Sequence, residues 1–263
     1  MLPVMIATLS SRRGGLARAS ALAALGLATA AGGAFGAPAW IACILDHHNG
    51  PAESAAERRK PAHYQIDEGG GFILDHATDR VLLKFDDNAE VWVLAGARGP
   101  RGDLIYFDDS GRTLLRTNQM GGVTVFTTRR PSGAAAAADA VAPAPLRITP
   151  VGASALYLRL VEASLRASRA ARHLITFEAP DADPASDGLI ADTTMVAGEA
   201  VTAVSARPEG RRILARIGKV EIDHGAKSGA VQRGDVLKIT VAPSLGYAGR
   251  PSSARIARAL GVK

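Results

Sequence analysis

The residues with the widest chemical reach in this 263-residue chain are few and fall in three places. Two Asp-His pairs occupy similar surroundings, Ile73-Leu74-Asp75-His76-Ala77 and Glu221-Ile222-Asp223-His224-Gly225. A carboxylate beside an imidazole can orient a general base or brace a metal-bound histidine from behind. Asp75, His76, Asp223 and His224 are therefore the candidate catalytic residues of a hydrolase whose site draws on both halves of the chain. Neighbouring residues on a strand point to opposite faces, so neither pair is a ready-made dyad, and polar strand ends account for them too. Asp46-His47-His48 has the same limitation. The stretch through Asp223-His224-Gly225-Ala226 has the outline of an aspartic protease loop, but His224 stands where such a loop carries a hydroxyl residue, and two carboxylates must share a proton there.

The third place is Gly246-Tyr247-Ala248-Gly249-Arg250-Pro251-Ser252-Ser253. A glycine-rich turn running into a helix start offers free backbone N–H groups. Arg250 adds a bidentate donor, and Ser252 and Ser253 add hydroxyls, a set that suits a phosphate or a carboxylate. A capped helix start with a solvent-facing arginine also explains the serines and the proline. Standard enzyme signatures are missing: there is no G-x-S-x-G, no H-E-x-x-H and no dinucleotide fingerprint, and Gly225-Ala226-Lys227-Ser228-Gly229 has Ala where a P-loop has Gly. With one cysteine, Cys43, neither an internal disulfide nor a Cys-x-x-Cys zinc site can form. No metal and no cofactor is expected.

Composition narrows the partners. Hydrophobic residues make up 47% of the chain, enough to bury a real core. Aromatics make up 5%, which leaves few platforms for stacking bases. Arg58-Arg59-Lys60, Arg129-Arg130 and Arg211-Arg212 are short and scattered, whereas a protein that tracks phosphates needs a continuous basic face. Nucleic acid is not expected as a partner.

The opening segment carries the most specific message. Ser11-Arg12-Arg13-Gly14-Gly15-Leu16 precedes an apolar Ala/Gly-rich stretch from Ala19 and then Ala37-Pro38-Ala39. A positive region, an apolar region and a small-residue site in that order form a signal peptide, and paired arginines before Leu suggest the twin-arginine type. Residues 1–39 read as the leader, with cleavage after Ala39 or, second, after Gly36. Loss of Arg12, Arg13 and Arg18 lowers the formal charge from +6 to +3. The expected location is the periplasm or the medium, with the membrane touched only through the signal segment. Two rivals are an uncleaved inner-membrane anchor over residues 19–45 and lipidation at Cys43, where Trp40 replaces the Leu of a lipobox. A third is a hydrophobic N-terminal helix of a cytosolic protein, although the stretch lacks the polar face of a packed surface helix.

The elements that must position the candidate residues divide the mature chain. Residues 40–63 are a polar tether. Residues 64–130 show short apolar runs about every ten residues, separated by turn clusters such as Asp86-Asp87-Asn88 and Asp108-Asp109-Ser110-Gly111. This predicts an antiparallel β-meander, a curled sheet or small barrel. Residues 131–149, with Ala134 to Ala138 in a row, read as an Ala/Pro linker. Residues 150–263 then turn helical: Leu156, Leu160, Val161 and Leu165 mark an inward helix face opposite Arg159, Glu162, Arg166 and Arg169. A strand at Ile175 to Phe177 and a helix from Asp187 to Val204 follow. Further strands are expected over Ile213 to Ile222 and around Leu237 to Val241, with a last helix after Pro251. The fold class is α+β, a β-meander domain followed by a small α+β domain.

The meander also carries a family resemblance. Gly69-Gly70-Gly71-Phe72-Ile73-Leu74-Asp75, Leu83-Lys84-Phe85, Glu90-Val91-Trp92-Val93-Leu94, Arg98-Gly99-Pro100-Arg101-Gly102-Asp103 and Gly121-Gly122-Val123-Thr124-Val125-Phe126 make it similar to the exported alphaproteobacterial proteins of domain of unknown function 4908. The resemblance implies a cell-envelope setting and no established activity, and brings no catalytic residues with it. The expected function is a non-enzymatic binding or structural module of the envelope, with an envelope protein as a possible partner. The alternatives are the Asp/His hydrolase and an anion or ligand sensor around Arg250.

Overall fold

The computed structural model describes residues 60–262, apart from residues 68, 77–79 and 141. The leader, Cys43, Asp46-His47-His48 and nearly all of the tether lie outside the described residues. Eight short strands come first: β1 (Ala62–Ile66), β2 (Gly71–Asp75), β3 (Val81–Phe85), β4 (Val91–Arg98), β5 (Leu104–Phe107), β6 (Thr113–Thr117), β7 (Val123–Thr127) and β8 (Arg130–Ala138). Each pairs antiparallel with the next, and β8 returns to β1 with Ala136 opposite Ile66 and Ala138 opposite Tyr64, so the meander closes into a barrel. Closure removes both sheet edges, which an open meander would leave unpaired.

The turns form where side chains replace backbone partners. Asp108 Oδ1 accepts from the backbone N–H groups of Ser110 and Arg112 at 2.9 Å each, and Asn118 Oδ1 accepts from those of Met120 and Gly122 at 3.0 and 2.8 Å. These are the local bonds that make Asp and Asn turn formers. Between turns, every second side chain faces inward and the registers carry the inward set around the ring. Leu74 lies opposite Leu83, Leu83 opposite Trp92, Tyr106 opposite Leu115, Leu115 opposite Val125 and Val125 opposite Ala134. One wall is aromatic: Tyr64 stacks on Phe72 at 5.2 Å, and Phe85 meets Phe72 and Trp92 edge-on at 6.0 and 5.4 Å.

The Ala-rich run expected as a linker is instead the strand that closes the barrel. Alanine is a poor strand former on its own, so the run shows no strand pattern. Opposite a wall of large rings, however, Ala134 and Ala136 supply the small inward side chains that a tapering interior accepts. Gly133 sits at φ +89, with Thr124 Cγ2 and Phe126 Cε1 within 2.8 Å of any Cβ placed there, which suits it to the irregular start of this strand. Residues 142–152, which follow, have no regular structure, but they are tied down. The Leu146 N–H donates to Asp75 Oδ2 at 2.8 Å, and Ile148 and Val151 pack on the second core.

That second core is built by α1 (Ala153–Ala171), β9 (Thr176–Glu178), α2 (Asp187–Ser205), α3 (Gly210–Leu214), β10 (Lys219–His224), β11 (Gly229–Arg233), β12 (Val236–Val241) and α4 (Ser253–Ala259). The sheet order is β11-β12-β10-β9, with β10 parallel to both β9 and β12 and β11 antiparallel at the edge. Two expectations change here. The strand expected from Ile213 begins at Lys219, because Ile213 and Leu214 belong to the one-turn helix α3, where both are buried. The edge strand β11 has Gly229, Gln232 and Arg233 among its five residues and gives too little alternation to read.

The inner face of α1 also differs from its expected one. Leu156 is buried and Leu160 packs on the core, as expected, but the contact continues through Ala163, Ala167 and Ala171, while Val161 and Leu165 are 37% and 54% exposed. Small residues let α1 and α2 approach closely: a Cβ on Gly198 of α2 would lie 3.7 Å from Ala163 Cβ. Barrel and C-terminal layers form one compact unit. Among the described residues no helix is long and apolar enough to cross a membrane.

Phe72 tests the account of the barrel, since it is fully buried and touches rings on two strands. Phe72→Ala is expected to lower the unfolding free energy in urea by about 3–5 kcal/mol. Met120→Ala, at a turn residue that is 95% exposed, should stay within about 0.5 kcal/mol of the parent.

Candidate functional site

The outward side chains of β3 to β5 include Leu82, Val93 and Phe107, with Leu82 directly opposite Val93 in the register. On a free-standing barrel they would be an apolar patch in water. Here the C-terminal layers cover part of it, and a cleft of about 890 Å³ remains. Its floor is Leu82, Val91, Val93, Ala95 and Phe107; residues 146–148 and the turn Pro243–Gly249 form the facing wall. Arg80, Arg147 and Arg255 also line it. Leu245, 53% exposed, extends the apolar lining at the mouth.

The back of the cleft is a buried ionic latch. The Arg250 side chain is almost wholly buried; its Nε donates to Asp192 of α2, its Nη2 donates to the Val91 carbonyl at 2.8 Å, and its Nη1 lies 3.7 Å from Glu90 Oε1. Beside it the barrel carboxylates meet the start of α4. The Ser253 N–H and hydroxyl donate to Glu90 at 2.9 and 2.5 Å. The Ser252 N–H donates to Asp109 Oδ2 at 3.0 Å, and its hydroxyl donates to Asp109 Oδ1. The orphan donors of a helix start are thus satisfied from another layer, where helix polarity also favours negative charge. Burial pushes the carboxyls of Glu90 and Asp192 above the usual range, although Arg250 pulls both down.

For the Gly-rich loop the sequence leaves two readings, an external anion site and a capped helix start with a solvent-facing arginine; the start is capped, with the Ser252 hydroxyl accepting from the Arg255 N–H at 3.1 Å, but Arg250 is buried and the loop holds three carboxylates of the chain itself. Arg250, Ser252 and Ser253 are legible in the sequence as an anion-recognising group; that Glu90, Asp109 and Asp192 face them is not. A signal for Asp192 exists in the sequence, an acid set between Leu189-Ile190-Ala191 and Thr193-Thr194 on a helix whose neighbours are buried. Tyr247 completes the wall. Its hydroxyl donates to the Arg147 carbonyl at 2.9 Å and its ring lies 5.8 Å from the Arg250 guanidinium carbon. Burial, with the Asp192 charge adding to it, pushes this phenol up to about 12, so it remains a neutral donor.

The Asp-His pairs stand elsewhere. Asp75, at the end of β2, is buried and takes the Leu146 N–H; His76 meets the Tyr106 ring edge-on at 6.5 Å. Burial lowers the His76 pKa, against the opposing pull of Asp75, and so favours the neutral imidazole. Asp223 and His224 end β10 in the other sheet. Asp223 is 2.7 Å from Lys238 Nζ, and the His224 backbone N–H donates to Asp223 Oδ1 at 2.8 Å. The Lys238 bond, helped by that N–H, holds the Asp223 carboxyl below its usual range. Each pair finds its contacts among different neighbours. Among the described residues no group of three or more His, Cys, Asp or Glu side chains is placed to hold a metal ion.

Removing the guanidinium would leave two buried carboxylates without their cation. Arg250→Ala is expected to cost about 3–5 kcal/mol of unfolding free energy in urea. The pH dependence has a definite sign. Raised folded-state values mean that the folded chain holds protons on Glu90 and Asp192 where the unfolded chain does not. Their contribution to stability is greatest below the ordinary carboxylate range and falls as pH rises through the raised values. Glu90→Gln should flatten that slope in unfolding curves measured from mildly acid to neutral pH.

A family model described as a domain of unknown function, DUF4908, matches residues 45–260 and so spans the barrel, the cleft and the C-terminal layers. No curated protein and no solved structure matches this chain.

Proposed function

Because the chain belongs to the DUF4908 family, whose description names no activity, we propose its role from the cleft: it is a non-enzymatic ligand-binding module of the bacterial cell envelope. The ligand class is an amphiphile with an apolar chain and a carboxylate or phosphate head. The observation that carries this reading is the pairing of an apolar floor, Leu82, Val93 and Phe107, with arginines in the same lining. The acids of that lining are engaged already: Asp108 with Arg112 at 3.1 Å, and Asp109 with Ser252. Arg147 is exposed, and no ion pair holds it among the described residues. Apolar lining with a few convergent polar groups is the usual make-up of a small-molecule site.

Support for the envelope setting is the arginine-led apolar leader, together with a family match that starts at residue 45, past the expected cleavage point. N-terminal sequencing of the protein recovered from a fractionated host should begin at Trp40. Recovery of the intact terminus in the cytoplasm would remove the envelope assignment.

Isothermal titration of the exported chain tests the ligand class. Dodecanoate and dodecyl phosphate, below their micellar concentrations, are expected to bind, and dodecanol and inorganic phosphate to bind far more weakly. Arg147→Ala should weaken the anionic amphiphiles by roughly tenfold, the scale of one lost charge-assisted hydrogen bond. Absence of binding, or equal binding by the variant, counts against the cleft. Turnover on hydrolase substrates that is lost in Asp223→Ala or His224→Ala would replace this reading with an enzymatic one.

A further inference from the structure

The end of the C-terminal layers opposite the latch is strongly basic. Strands β9, β10 and β12 run parallel, with Thr176 and Val236 both opposite Lys219, so the segments that lead into them meet at one end. The His173 ring fixes that meeting, its Nε2 lying 2.8 Å from the Ile217 carbonyl. Arg172 and Arg216 flank this contact, Arg169 stands in the last turn of α1, and Arg207, Arg211 and Arg212 come from the chain between α2 and Arg216. All six are exposed, and no ion pair holds any of them among the described residues. Pairs that look scattered in the sequence, such as Arg211-Arg212, are gathered here by the fold.

Ordinary duties do not use up this charge. Arginines near helix C-termini offset the partial negative charge there, about half a unit per helix. Helices α1, α2 and the one-turn α3 end here, and the acids of the converging segments are Glu209 and Asp235, both exposed. Six cations exceed that demand, and like charges held together repel. Apolar side chains stand among them. Leu174, next to His173, is 72% exposed, and Leu165, one turn before Arg169, is 54% exposed. Leu165, Arg166 and Arg169 line a shallow groove of about 550 Å³ with Thr202 and Ser205 of α2. Glu162, the acid of that groove, is neutralised by Arg166 at 3.1 Å and Arg159 at 3.8 Å.

We propose that this end docks on a bilayer surface rich in anionic phospholipid, a membrane contact separate from the leader's. The arginines meet headgroup phosphates, the groove receives a headgroup beside Arg169, and Leu165 and Leu174 reach the acyl boundary. Charge complementarity selects the headgroup, since a guanidinium takes phosphate through two parallel N–H donors. The leucines select lipid over other polyanions: a solvated strand of charge gives an aliphatic side chain nothing to enter, whereas a bilayer surface takes it out of water. The cleft lies at the other end of the helix layer. Asp192, in the latch behind it, and Ser205, in the groove, are about 20 Å apart along α2.

Flotation of the exported chain with phosphatidylcholine vesicles, with and without phosphatidylglycerol, tests this. Binding is expected only where phosphatidylglycerol is present, and it should weaken as salt is added. Arg211→Ala combined with Arg212→Ala should weaken it about 25-fold, on a scale of about fivefold for each cation lost near an anionic surface. Arg207→Glu repeats that test outside α3. Leu174→Ala should weaken binding about tenfold, a loss that adsorption by charge alone would not show. These side chains are exposed, so thermal midpoints should not change. Arg147→Ala, in the cleft, should float like the parent. No flotation with phosphatidylglycerol, equal flotation with phosphatidylcholine alone, or flotation untouched by the arginine variants would overturn the proposal. Binding to duplex DNA as tight as to vesicles, with no response to Leu174→Ala, would assign the surface to nucleic acid instead. Flotation lost in Arg147→Ala would move the lipid contact to the cleft.

Discussion

The structure depends on one buried cation. The guanidinium of Arg250 joins Asp192 on α2 to Glu90 and the Val91 carbonyl on the barrel, so a single side chain bridges the two cores. Ions out of water are costly, and such a group persists only where geometry and further hydrogen bonds offset the lost hydration. Those bonds are present. Glu90 also receives two donors from Ser253, at the positive end of α4, which offsets part of the excess negative charge of two acids around one base. Glu199 feels the same field: burial raises its carboxyl, Arg166 opposes the rise, and Asp192 adds to it. The latch therefore works only while water is kept out, which ties its energetics to the docking of barrel on helix layers.

That docking also explains why a cleft exists. The outward side of β3 and β4 is apolar at Leu82, Val91 and Val93, alternating with the inward Leu83, Trp92 and Leu94. A strand apolar on both faces needs cover on both. The latch sits over Val91 at one end of this surface and buries it, while residues 146–148 and the turn Pro243–Gly249 stand back from the rest. Arg147 is held in that wall from two sides: Leu146 before it bonds Asp75, and Tyr247 bonds its carbonyl. The cleft is the part of a two-faced sheet that incomplete docking leaves open.

How much of this the sequence discloses follows from how local each interaction is. Strands β2 to β7 are legible because alternation and turn residues act within ten residues of one another. Strand β8 is not, because alanine becomes an inward residue only once an aromatic wall stands opposite. Arg250, Ser252 and Ser253 are legible as a group because they are contiguous. Their acids are not, because Asp109 and Glu90 lie 143 and 163 residues away along the chain from Ser252 and Ser253. For the same reason a loop built to recognise carboxylate reads as a binding site when its ligand is internal. On α1 the period of the apolar positions is correct and the direction holds for Leu156 and Leu160, which pack on the core, but not for Val161 and Leu165, where alanines take over the contact. The close approach to Gly198 selects the alanine stripe as the inner one.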